Sequence, residues 1–238
     1  MNKPLITITK LEKKFISSGE KLVIFSSLSV GIPEGTNTII TGKSGCGKST
    51  LLNIIAGLDT PTNGSIVAGD FHVESLNENE LTQYRSLFLG LVFQFHHLLK
   101  DFTALENVFL PAFMTGMSKK QAQERAKQLL RDVGLENRMN HLPSQMSGGE
   151  RQRAAVARAL INDPSLVLAD EPTGNLDPAN AKIVEDLLFN IVKQYSKTLI
   201  LVTHDNGIAS RGDQCFSLDS GKLVTDNKDK AISQGYVL

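Results

Sequence analysis

Three stretches of this 238-residue chain carry residue types whose spacing suits phosphate chemistry. Gly42-Lys43-Ser44-Gly45-Cys46-Gly47-Lys48-Ser49-Thr50 fits the pattern G-x-x-x-x-G-K-[ST]. Glycines at these positions let successive backbone N–H groups turn inward around phosphates, and a helix opening behind them points its positive end the same way. In that pattern the Lys48 ammonium reaches the β/γ-phosphates of a nucleotide and the Ser49 hydroxyl coordinates Mg²⁺. Asp170 and Glu171 follow the apolar run Leu166-Val167-Leu168-Ala169. Adjacent carboxylates at the end of a buried segment are costly unless something compensates their charge. A nucleotide-borne Mg²⁺ does so: Asp170 would hold the metal directly or through water, and Glu171 would orient and deprotonate an attacking water. A solvated acidic turn fits that apolar run poorly. Third, Ser147-Gly148-Gly149-Glu150 opens an alanine-rich helix running through Ile161, another helix N-terminus suited to an anion. One nucleotide already has the first loop, so a second anion-ready helix implies a second contact to the same phosphate. Head-to-tail pairing of two copies is the simplest geometry, each lending this loop to the other.

The elements that must hold these residues are legible as short apolar runs. Thr38-Ile39-Ile40-Thr41 stops at Gly42, Leu91-Val92-Phe93 at Gln94, Leu166 to Ala169 at Asp170, and Thr198 to Thr203 at His204. Continuous β-branched and apolar runs of this length read as strands buried on both faces of a mainly parallel sheet. Ligands of such sheets bind beyond the carboxyl ends of the strands, where all four runs end in a glycine or a polar residue. Helices fall between them. Leu51 to Ala56 follows the glycine loop. Pro178 to Lys193 has apolar residues at helical spacing, with Asp177 as N-cap and Pro178 in the first turn. Ser118 and Gln121 form a capping-box pair for a helix through Leu130, with Gly134 as its stop. From about 96 to 157 no strand pattern occurs, so a mostly helical subdomain is expected there, inserted into an α/β core of about residues 1–95 and 158–238.

Composition narrows the function classes. Lys+Arg and Asp+Glu number 25 each, and there is no basic tract, which disfavours nucleic acid as a partner. Two cysteines, Cys46 and Cys215, make neither a disulfide framework nor a paired metal motif. The first 14 residues alternate polar and apolar types without the apolar core of a signal peptide, and no run approaches the ~20 apolar residues of a membrane span. A soluble, cytoplasmic chain is expected.

With these motifs in hand, the chain resembles the ABC-transporter ATPases over roughly residues 5 to 225, with the motifs in family order. The glycine loop comes first, then Gln94, Ser147-Gly148-Gly149, Asp170-Glu171, Asn175-Leu176-Asp177 and His204. The resemblance implies an α/β P-loop core with a mainly parallel sheet, an antiparallel β subdomain and an inserted helical subdomain. It implies ATP and Mg²⁺ as ligands, an ATP-dependent homodimer, and two integral membrane subunits above it. By the same likeness Gln94 would sense Mg²⁺ and water and signal to the membrane partner. Asp177 would communicate across the dimer, His204 would hold the γ-phosphate, and Phe15 would stack on adenine. The alternative for Phe15 is plain core, like Phe25; most relatives have Tyr there, and Phe keeps the π-face without the hydroxyl.

Within the family, Gln94 to Leu99 and Asp101 to Val108 look like the lipoprotein-releasing ATPases, and cell-division and macrolide or peptide exporters have related segments. The segment from Gln94 to Val108 is the expected contact with the membrane subunits, which would place the chain at the cytoplasmic face of the inner membrane. Lys43, Cys46, Met146 and Lys100 depart from the usual residues, and none removes a catalytic group. Adjacent His96 and His97 do not share a helix face and have no nearby Cys or third His, which speaks against a metal site. Lys48 and Ser147 are 99 positions apart (147 − 48) without sustained heptads, unlike chromosome-maintenance ATPases. Translation-type relatives carry two ATPase units where this chain has one. Many importer ATPases append a regulatory domain, whereas 34 residues (238 − 204) follow His204. The presence of both Glu171 and His204 opposes a module that binds nucleotide without turnover.

Overall fold

The computed structural model describes residues 4–17 and 20–225. The chain forms two compact units, one of residues up to Arg85 together with those from Thr198 onward, the other Ser86–Lys197.

The first unit holds an antiparallel sheet in the order β2-β1-β4-β5, built from β1 (Pro4–Ser17), β2 (Glu20–Pro33), β4 (Asn63–Ala68) and β5 (Phe71–His72). Its second set of strands is β3 (Asn37–Thr41), flanked in parallel by β8 (Thr198–Thr203) and β9 (Gln214–Asp219), with β10 (Lys222–Thr225) antiparallel to β9. Every residue of β8 is buried, and so are the last four of β3, as expected of strands covered on both faces. Helix α1 (Lys48–Ile55) leaves β3 through the glycine loop and buries Leu51, Leu52, Ile54 and Ile55. A short helix, α2 (Glu78–Gln83), starts at an Asn77–Glu80 capping box.

The second unit pairs β6 (Leu89–Phe93) with β7 (Leu166–Asp170) in parallel. It carries α3 (Ala104–Met114), α4 (Lys119–Asp132), α5 (Gly148–Ala159) and α6 (Pro178–Gln194). A Cβ on Gly90 of β6 would lie 2.4 Å from the Ala159 carbonyl oxygen, so α5 lies on that strand at a distance only glycine permits. In α4 the buried residues Ala122, Ala126, Leu129 and Leu130 make one helical stripe. Ser118 caps that helix by accepting from the Gln121 amide at 3.3 Å. The return half of the expected box differs: the Ser118 hydroxyl donates to the Gln121 side-chain oxygen at 2.7 Å, so that oxygen accepts from the hydroxyl rather than from the Ser118 amide. Gly134 sits just past the helix with φ 68°, as its role as a stop requires. Among the described residues, no helix is long and apolar enough to cross a membrane.

Candidate functional site: a nucleotide-binding ATPase centre

In the first unit, β3 and β8 run parallel with Thr41 opposite Thr203, so the next residues, Gly42 and His204, leave adjacent strand ends. Gly42 has no room for a side chain: a Cβ there would stand 2.7 Å from the Leu218 carbonyl oxygen and 2.8 Å from the Cys46 sulfur. Gly47 takes φ 106°, and its Cβ would meet Ile24 Cγ2 at 2.6 Å. The loop can therefore adopt this tight path only with glycine at both places. Lys48 is 5% exposed, and its ammonium donates to the carbonyl oxygens of Gly42 at 2.8 Å and Lys43 at 3.2 Å. Those bonds fix a buried cation inside the loop, where it would face phosphates. Gly47 is also the N-cap of α1 and offers no side chain to its first-turn amides. Lys43, Ser44, Gly45 and Ser49 are exposed, and Cys46 and Thr50 are half-buried. A glycine-walled loop, a helix start whose cap residue is a glycine and a buried ammonium suit a polyphosphate. Among the described residues no cluster of three His, Cys, Asp or Glu could hold a metal by itself. Ser49 beside the phosphate cradle suits instead a Mg²⁺ carried largely by the nucleotide's own oxygens. Phe15 is 42% exposed whereas Phe25 is fully buried, so the two phenylalanines differ and Phe15 is not core.

In the second unit, Phe93 pairs with Asp170, so Gln94 and Glu171 follow at neighbouring strand ends. Glu171 adopts φ 45°, a left-handed conformation unfavourable for a residue with a side chain and common where a catalytic geometry demands it. Gln94 is tied to the loop beyond Glu171, its Nε2 donating to Asn175 Oδ1 at 3.1 Å and its carbonyl accepting from Asn175 Nδ2 at 3.4 Å. A Cβ on Gly174 would come within 2.9 Å of Gln94 Nε2. Asp177 caps α6, accepting from the Asn180 amide at 3.1 Å and the Asn180 side chain at 2.6 Å, and these bonds hold its carboxyl below the usual range.

Ser147 caps α5 in a closed box. Its hydroxyl accepts from the Glu150 amide at 3.2 Å, and the Glu150 carboxylate accepts from the Ser147 amide at 2.7 Å. Arg138 Nε donates to the same carboxylate at 2.8 Å. The Arg138 bond first, then the backbone bond, lower its pKa to about 2. The box uses the amides of Ser147 and Glu150 and not those of Gly148 and Gly149. A Cβ on Gly149 would meet Asn180 Oδ1 at 2.9 Å, so the glycine lets α5 and the capped start of α6 approach closely.

Sequence reasoning gave no role to the side chains that brace this unit. Arg151 donates to the Met146 carbonyl at 2.8 Å and the Pro143 carbonyl at 3.3 Å, holding the backbone just before Ser147, and to His96 Nε2 at 2.7 Å. Burial and then the nearby Arg151 and Arg158 charges lower the His96 pKa, which keeps the ring neutral and Nε2 able to accept. Arg158 donates to the His96 and His97 carbonyls at 2.8 and 2.7 Å, so the segment after Gln94 is fastened to α5 along its length. Buried Asn107 donates to the carbonyls of Leu99, Phe102 and Thr103 and accepts from the Leu99 amide at 2.7 Å. It thereby folds that loop around one side chain. An Asn four residues past a capping Thr103 was the one local signal for it.

Fold and site together define a P-loop nucleotide hydrolase with a serine-glycine-glycine helix. The sequence profile of the ABC transporter family matches residues 25–174, and the chain belongs to that family, whose ATP-binding subunits bind and hydrolyse ATP with Mg²⁺. Among its relatives, the lipoprotein-releasing system ATP-binding protein LolD of Treponema denticola is 60% identical, over 94% of this chain and 99% of that one. The Treponema pallidum protein of the same description is 54% identical over 94% and 99%. A dimeric post-hydrolysis structure of the ATP-binding cassette MJ0796, bound to ADP and Pi, superposes with a TM-score of 0.83 at 37% identity, covering 92% of this chain and 96% of that one.

Proposed function

We propose that the chain is the ATP-hydrolysing motor of a lipoprotein-releasing ABC system. It would act as an ATP-dependent homodimer, peripheral at the cytoplasmic face of the inner membrane, beneath two integral membrane subunits. The observation that carries this reading is identity of 60% to a LolD protein along almost its entire length, in a chain that keeps every motif of the site. The roles of Lys48, Ser49, Asp170 and Glu171 are argued from their chemistry, and those of Phe15, Gln94, Asp177 and His204 from the resemblance to the family's motifs. Lys48 and the amides of residues 42 to 50 bind the β- and γ-phosphates, and Phe15 stacks on adenine. By resemblance to the family's motifs, Ser49, Gln94 and Asp170 would hold Mg²⁺, which would supply charge neutralisation at the phosphates. Glu171 accepts a proton from the water attacking the γ-phosphorus as the bond to the β-phosphate oxygen breaks, a contribution on the order of 10²–10⁴ in rate. His204 hydrogen-bonds the departing phosphate. Ser147, Gly148 and Gly149 come from the second copy, the Ser147 hydroxyl donating while its oxygen stays in the cap, and Asp177 lies at the same seam.

The contact with the membrane subunits is assigned to residues 94 to 108. Phe95, Leu99 and Phe102 are 64%, 45% and 40% exposed there, more apolar surface than an unpartnered loop normally presents, while Asn107 and Arg158 keep the loop rigid. A short amphipathic helix from a membrane subunit fits such a surface. Phe95→Glu and Leu99→Glu, assayed in the assembled transporter, are expected to abolish lipoprotein release while the isolated subunit's ATPase stays within about twofold of wild type. Variants that still assemble and still release lipoproteins would remove this surface from the mechanism.

A further inference from the structure

The strand that carries Phe15 contains an irregularity that turns a cation beneath its ring. In β1 the alternation that buries Ile6 and Ile8 would, if unbroken, bury Lys10 and Glu12 next. Instead Lys10 takes φ 48°, and the pairing with β2 shifts register between Ile8 and Leu11. The extra residue reverses the parity, so Leu11 and Lys13 turn inward, and Lys13 is only 7% exposed. Its ammonium donates to Asp59 Oδ1 at 2.6 Å and to the Thr60 carbonyl at 2.8 Å, and stands 4.6 Å from the centroid of the Phe15 ring. Asp59 lies on the turn leaving α1, where its amide donates to the Asn53 carbonyl at 3.2 Å. Lys14 by contrast pairs locally with Glu12.

We propose that Lys13, locked by Asp59, is a positioning residue for the nucleotide base. It sets the orientation of the Phe15 ring and tunes that ring for stacking a neutral purine. This rests on the reading of Phe15 as the adenine platform. An ammonium against one face of a benzene ring is attracted by the π-density and draws on it. A depleted ring repels the π-face of a second aromatic less, so stacking on its open side is strengthened. Phe has no hydroxyl with which to anchor itself, and at 42% exposure the ring is only partly packed, so the cation is one restraint on its orientation. The Asp59 link adds a geometric consequence. The helix whose start forms the phosphate loop holds, through the turn at its far end, the lysine under the base platform. The distance between the triphosphate and base subsites is thereby set by one rigid element.

The test compares binding of ATP and of inorganic tripolyphosphate, each with Mg²⁺, by calorimetry on the full chain and its Lys13→Met, Phe15→Leu, Asp59→Asn and doubly substituted Lys13→Met/Phe15→Leu variants. Lys13→Met and Phe15→Leu should each raise the Kd for ATP roughly five- to thirtyfold, while tripolyphosphate affinity stays within about twofold. The double variant should bind ATP no more weakly than Phe15→Leu alone, because the cation acts through the ring. Asp59→Asn, which keeps the shape but loosens the lysine, should show a smaller loss of the same kind. Equal loss of ATP and tripolyphosphate in Lys13→Met would mean a merely structural lysine, and unchanged ATP affinity would mean no role at all; either overturns the proposal. If Phe15→Leu itself leaves ATP affinity intact, the adenine platform reading falls as well.

Discussion

The starts of α1 and α5 look alike in sequence, each a glycine-rich turn before a helix, yet they are finished in opposite ways. At α1 the N-cap is Gly47, with φ 106° and no side chain to offer, so the cap residue itself gives the first-turn amides no side-chain bond. At α5 the N-cap is Ser147, and a reciprocal box with Glu150, braced by Arg138, satisfies two amides internally. A helix start whose cap residue has no side chain, with a buried ammonium beside it, suits a polyphosphate. A closed one is already stable and presents only a hydroxyl hydrogen and the two glycine amides outside the box. On the proposed reading, the first element would carry affinity, whereas the second would act as a rigid, weakly binding surface that completes a site in another copy.

The largest effects should come from substitutions at Lys48 and at Glu171. Lys48→Ala is expected to lose nucleotide binding, measured with a fluorescent ATP analogue. Glu171→Gln should keep binding while phosphate release falls by about 10²–10⁴, so that an ATP-bound dimer accumulates on size-exclusion with Mg-ATP. A strictly monomeric profile with wild-type turnover would break the comparison. Next in size is the partner test. Ser147→Arg chains mixed with Lys48→Ala chains should recover part of the activity, because a mixed dimer retains one site with an unmodified glycine loop and an unmodified serine loop. Crosslinked mixed dimers that recover no activity, as when each site carries one of the two defects, would place Ser147 on its own chain's nucleotide.

The smallest effect concerns the closed box itself. Ser147→Ala should cost about 1 kcal/mol of stability, roughly 2–4 °C in Tm, without weakening ATP binding to the isolated subunit. Glu150, whose pKa is lowered to about 2 in the folded chain from the ordinary glutamate value of 4.5, stabilises fully above pH 4.5, and its contribution disappears as pH falls toward 2. Glu150→Gln keeps an acceptor but no charge. Its melting temperature should therefore lie slightly below wild type near neutrality, and the gap should close between about pH 4.5 and pH 2, followed by calorimetry. A gap that stays constant across that range would show that the charge plays no part in holding the cap.

The sequence by itself determined the features that depend on neighbours along the chain. The glycine loop, the buried runs ending at Gly42, Gln94, Asp170 and His204, and the caps at Asp177 and Ser147 all rest on spacings of a few residues, where periodicity and backbone chemistry act directly. The Ser118 cap was only half right, since a side-chain hydroxyl competed with the backbone amide for Gln121, and composition does not rank those two partners. What tertiary structure decided are contacts between residues far apart in the chain. Arg151 holds His96 across 55 positions, Lys13 holds Asp59 across 46, and Asn180 fills the space left by Gly149. A polar side chain carries no period that names its partner. Lys13 shows why most plainly: strict alternation would have turned it to solvent, and one residue bulged at Lys10 reversed the face of the strand.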